Sequence, residues 1–66
     1  MKYVYLVYED NVGLLYVCAN KDKATEKVNN IAFNNYGVSK TDEPDYDDED
    51  DYGFEGVACW QRVGVD

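Results

Sequence analysis

The chain has no histidine, one proline and only two cysteines among its 66 residues. Lack of histidine removes the side chain that most often serves as general base near neutral pH. Two cysteines cannot by themselves complete a tetrahedral zinc site. No serine sits between glycines in a nucleophile turn and there is no glycine-rich phosphate loop, so the usual signatures of acyl transfer and nucleotide binding are missing. No apolar run approaches the roughly 18 residues of a membrane-spanning helix. Met1 leads straight into a strand-like run, with no basic region, apolar segment and cleavage site of a leader. Only six residues are basic, against fourteen acidic, for a net charge of −8. Nucleic acid and anionic lipid both need Lys and Arg to neutralise phosphate, so direct binding to either is not expected. The expectation is a cytoplasmic, non-enzymatic protein without cofactor or metal.

A chain this short buries only roughly 60% of the surface that its unfolded form exposes. With few cysteines and no metal ligands, oligomerisation is the supplement left to it. Seven Tyr, two Phe and one Trp supply large contact areas with few rotatable bonds, and some of these rings are expected outside the core.

The charge is concentrated in one place. Asp42, Glu43, Asp45, Asp47, Asp48, Glu49, Asp50 and Asp51 are eight carboxylates within ten residues, interrupted by Pro44 and Tyr46; the rest of the chain has six acids and six bases and is neutral. The sequence therefore describes one domain, residues 1–66, with an acidic loop at about 38–53.

Residues 3–8 are all strand formers with both alternating faces apolar, as suits a central strand. Turn chemistry at Asn11 and Gly13 leads into a second strand at 14–19, forming a hairpin. Asn20 is a helix N-cap for residues 21–35, in which Ala24, Val28, Ile31, Ala32 and Tyr36 share one face and Gly37 closes the C-terminus. Residues 38–51 lack apolar periodicity and repel themselves, which predicts a mobile loop. Residues 57–63 alternate as a last strand. The predicted fold is α+β: a ββαβ chain with a three-stranded antiparallel sheet, ordered 2-1-3, and one helix on one face. Assigned by aliphatic content, Val4 and Leu6 lie under the helix, and Tyr3, Tyr5 and Trp60 occupy the open face as a second interface.

The acidic run approximates half of an EF-hand loop, but Tyr52 stands at its fifth position and Cys59 at its twelfth, where a bidentate Glu is required. Paired acids act as general acid and base only when one is desolvated, which a solvated loop does not do. Cys18 and Cys59, placed on opposite edge strands about 9.6 Å apart, are beyond disulfide reach and read as reduced thiols in the core. Tyr46 and Tyr52 punctuate the acids. Rings among carboxylates suit ion-pair and cation–π contact with Arg and Lys, although Tyr52, beside the last strand, is equally placed to anchor the loop.

The opening Tyr-Val-Tyr-Leu-Val-Tyr-Glu, the hairpin and Ala-Asn-Lys-Asp-Lys-Ala entering the helix resemble small ββαβ proteins of bacteriophages and bacteria. Size and acidity are similar to phage anti-defence and host-takeover proteins, including DNA mimics that block restriction, CRISPR or repair enzymes. That resemblance implies an inhibitor of a host nucleic-acid-binding protein, with Asp42, Glu43, Asp45, Tyr46, Asp47, Asp48, Glu49, Asp50, Asp51 and Tyr52 presented to its basic surface. Against mimicry, a flexible segment loses entropy on binding, whereas mimics spread their acids over a rigid surface. The alternative is an interaction module or homodimer using the open aromatic face through Tyr3, Tyr5 and Trp60, with the acids only a solvated tract.

Overall fold

The computed structural model describes residues 2–65. Met1 and Asp66, the two ends of the expected domain, lie outside the described residues. The elements run β1 (Lys2–Glu9), β2 (Gly13–Cys18), α1 (Lys21–Asn35), β3 (Tyr46–Asp47), β4 (Asp51–Phe54) and β5 (Ala58–Val65). All neighbouring strands are antiparallel, in the order β2-β1-β5-β4-β3. The α+β class and the apolar first strand between hairpin partner and last strand are as the sequence predicts. The count of three strands is not: residues 46–54 add two more beside β5.

Those two strands escape a periodicity argument because their pairing does not rest on apolar side chains. Asp45 N–H donates to Gly53 O at 2.8 Å, Asp48 N–H to Asp51 O at 2.8 Å and Arg62 N–H to Asp50 O at 2.7 Å. Backbone bonds thus satisfy a segment whose side chains alone read as loop. Only β4 has apolar anchors, Tyr52 and Phe54.

Helix α1 begins and ends where capping chemistry dictates. Asn20 accepts from Lys23 N–H at 2.8 Å through Oδ1, satisfying one of the first-turn amides that no helix carbonyl can reach. Gly37, at φ 68°, turns the chain so that Val38 N–H reaches Ala32 O at 3.0 Å. The buried helix residues are Ala24, Val28, Ile31 and Ala32, the face the spacing predicts.

The sheet presents the opposite parity to this helix from that expected. Val7 and Trp60 face each other in register and are fully buried, and Tyr5 packs on the same side. Val4, Leu6 and Tyr8 therefore project from the open side, because side chains alternate along a strand. Aliphatic content is the wrong criterion here. A helix face made largely of Ala24, Val28 and Ala32 leaves room for rings beside Val7, and the ring tips must find polar partners. Trp60 Nε1–H donates to Thr25 Oγ1 at 3.0 Å and Tyr52 O–H to Asn29 Oδ1 at 2.9 Å. Tyr5 meets Trp60 edge-on at 5.0 Å between centroids, and Tyr52 stacks on it at 6.0 Å. Trp60 and Tyr5 thus belong to the core, and Tyr3 lies on the helix side of the sheet under the Arg62 guanidinium, 4.3 Å away. The second interface assigned to these three residues does not exist on the open face.

Cys18 and Cys59 are free, with β1 between their strands. Cys59 lies on a central strand, not an edge, and is only half-buried. Burial, and then the charge of Asp51, raises its thiol pKa. Titration in denaturant without reductant is expected to count two thiols, and Cys59 in the native protein to react more slowly with a disulfide reagent at pH 8 than after unfolding.

Candidate functional site

The eight acids fall into two groups. Asp42 and Glu43 lie in the link from α1, and Asp45 to Asp51 form the β3–β4 hairpin with its turn at residues 48–50. All but Asp51 are exposed. The segment expected to be mobile is held at both legs and at its tip. Besides the backbone bonds above, Asp45 Oδ2 accepts from Glu55 N–H at 2.7 Å. Asp50 Oδ1 accepts from Arg62 Nη2 at 2.6 Å. This hydrogen bond, then the charges of Asp50, Tyr3 and Glu49, raise the Arg62 pKa over the opposing effect of its partial burial. Arg62 thus ties the hairpin to β5 while neutralising one of its six charges.

Asp51 differs from its neighbours. It is half-buried opposite Gln61, and its Oδ1 has no hydrogen-bond partner among the described residues. Tyr52 is used up by the core, through the Trp60 stack and the Asn29 bond, so of the two tyrosines in the run only Tyr46, 40% exposed, is free to meet a partner. Its hydroxyl pKa is raised by the charge of Glu55 first, then by desolvation, then by Asp45, Asp51 and Cys59. The sequence does not single out Arg62 or Glu55, though the isolated cation in the last strand was a readable signal for an intramolecular partner of the acids.

A second polar link joins the first hairpin to the helix. Tyr36 O–H donates to Glu9 Oε2 at 3.2 Å and accepts from Asn11 Nδ2 at 3.5 Å. Desolvation, then the Glu9 hydrogen bond and charge, raise the Tyr36 pKa above 10.0. A phenol with a folded pKa above its unfolded value contributes stability below pH 10 that is lost as pH climbs through the folded value. The melting temperature is therefore expected to fall as pH rises above about 10, and Tyr36→Phe to flatten that fall; an unchanged slope in the variant would remove Tyr36 as its source.

Among the described residues no helix is long and apolar enough to cross a membrane, and no three Cys, Asp or Glu side chains are grouped so as to hold a metal ion. The chain matches no protein-family model, no curated protein and no solved structure.

Proposed function

We propose that the protein is a small binding protein, an inhibitor of the phage type its sequence resembles, that presents the β3–β4 hairpin to the basic surface of a nucleic-acid-binding protein. The observation that supports this reading is the order of the acidic segment. Five exposed carboxylates are held on a hairpin closed by the backbone bond from Asp45 to Gly53 and fastened to the central sheet by the bond from Arg62 to Asp50, with Asp42 and Glu43 in the link just before it. A preorganised anionic edge loses little entropy on binding, which answers the objection to a flexible tract. Folding back also shortens the reach: four residues of one leg span at most about 14 Å. The acids form a compact double row, not a line of phosphates, and suit a cluster of Arg and Lys that holds a few nucleotides.

The test is binding of an arginine-rich oligopeptide and capture of host nucleic-acid-binding proteins, each followed across a salt series. Affinity is expected to drop steeply from low to high salt. Salt-insensitive binding would assign the interaction to another surface.

A second reading is favoured by the open face of the sheet, where Val4, Leu6, Tyr8, Val17 and Val63 face away from the helix, with Val17 61% exposed. A second copy packed there would form a β-sandwich. Sedimentation at micromolar concentration decides: a dimer dispersed by Val63→Lys supports this reading, and a monomer at millimolar concentration eliminates it.

A further inference from the structure

At the turn end of the open face lies a cavity of about 340 Å³, bounded by Tyr8 on one side and Tyr46 on the other, with Glu9, Asp10 and Glu55 on its rim and Cys59 among its lining residues. The register explains why these residues meet. Tyr8 pairs with Cys59, Cys59 with Gly53 and Gly53 with Tyr46, so the three side chains rise from the same side of the sheet on successive strands, with no side chain at Gly53 between them. The volume is at the small end of the range for ligand sites, about 300–1,000 Å³, and suits a single side chain.

Its chemistry is that of a cation receptor. None of the chain's Lys or Arg residues lines it. Elsewhere the protein covers aromatic rings with its own cations: Arg62 on Tyr3 at 4.3 Å, Lys27 on Tyr16 at 4.6 Å and Lys21 on Trp60 at 5.9 Å. Tyr8 and Tyr46 have no such partner among the described residues. Asp10 and Glu55 make no side-chain ion pair or hydrogen bond there either, while Glu9 accepts one from Tyr36. The negative potential converging on the Tyr46 hydroxyl, chiefly from Glu55, is the field a cation entering between the rings would meet.

We propose that this cavity binds the guanidinium or ammonium group of one Arg or Lys side chain of a protein partner, the alkyl stem against the tyrosine rings and the charged head on Asp10 and Glu55. Only the source of that group rests on the partner reading above; the cavity sits beside the hairpin, sharing Tyr46 with it, and would seat one anchoring residue while the hairpin acids meet the surrounding basic surface.

The experiment is an amide NMR titration with N-acetyl-arginine methylamide and N-acetyl-lysine methylamide, with the norleucine analogue as neutral control. Saturable shifts at Tyr46, Glu55, Gly56 and Cys59 with either cationic probe, absent with norleucine, are expected, with dissociation constants of about a millimolar. The stronger of the two names the residue preferred. Glu55→Gln is expected to weaken binding about threefold or more, its spectrum reporting that the fold is kept. Equal binding of norleucine, shifts spread over all the acids without saturation, or an unaffected Glu55→Gln variant would each overturn the proposal. A hairpin variant with Asp42, Glu43, Asp47, Asp48 and Glu49 neutralised separates the two readings. It is expected to keep the single-residue probe and to bind the arginine-rich peptide about tenfold more weakly at low salt. Peptide affinity undiminished in that variant would refute the hairpin reading and leave the cavity standing; absence of probe binding in wild type would refute the cavity and leave the hairpin standing.

Discussion

Gly53→Ala is expected to detach the acidic hairpin from the sheet and to cost about 3 kcal/mol or more of stability. Gly53 has φ 156°, a backbone state L side chains rarely adopt, and a Cβ there would stand 2.5 Å from Cys59 Cα and Cβ and overlap the Ala58 carbonyl oxygen. Two of these three atoms belong to the backbone of the neighbouring strand, so no rotamer change relieves the clash and β4 must move off β5. The strain and the overlap add, against a total stability that for 66 residues is about 3–10 kcal/mol. Chemical denaturation of wild type and variant measures the loss, and amide exchange at Asp48, Asp51 and Arg62 locates it. A variant as stable as wild type would mean that β4 is not closely paired with β5. The substitution has a second use, because it keeps all eight acids while removing their fixed arrangement. If a basic partner reads order as well as charge, affinity should fall; if charge alone suffices, Gly53→Ala should bind as wild type does wherever it remains folded.

The same glycine shows why the hairpin was illegible in the sequence. Residues 3–8 and 57–63 declare themselves as strands through apolar and β-branched residues, and residues 21–35 through a cap, a periodic face and a terminal glycine. In residues 45–51 the side chains are nearly all carboxylates, which disfavour strands, and β-structure comes from neighbours distant in sequence: Arg62 for Asp50, Glu55 for Asp45, and Trp60 for Tyr52. Charge composition located the candidate site and missed its order. Gly53 was readable as a turn residue only, since the close approach of Ala58 and Cys59 is a property of the assembled sheet. The face assignment failed for a related reason. Hydrophobicity told which residues are buried in sum, but the choice between Val4 with Leu6 and Tyr5 with Trp60 depended on the room left by Ala24 and Ala32, and on Thr25 and Asn29 being placed to receive the Trp60 and Tyr52 tips.

Neutralising the acids should separate function from stability, provided the substitutions respect the roles found in the hairpin. Asp45 holds Glu55 N–H, Asp50 holds Arg62, and half-buried Asp51 lies against β5, so these three are left alone. Asp42, Glu43, Asp47, Asp48 and Glu49 are exposed and make no side-chain bond within the described residues. Changing them to Asn or Gln keeps size and hydrogen-bonding capacity while removing five of eight charges. Their mutual repulsion works against the compact hairpin at low salt, so the variant is expected to fold with an equal or higher melting temperature. Its affinity for an arginine-rich peptide should fall about tenfold or more at low salt, since each exposed ion pair contributes little and five act together. The difference should shrink as salt is raised, because screening removes from the wild type what the substitutions remove outright. Circular dichroism melting and a binding titration on one preparation check both arms. Unfolding of the variant would make these acids structural. Folding with undiminished affinity would move the partner surface to the open face, where Tyr8, Val17 and Val63 lie uncovered by the helix and the eight carboxylates serve only to keep copies apart.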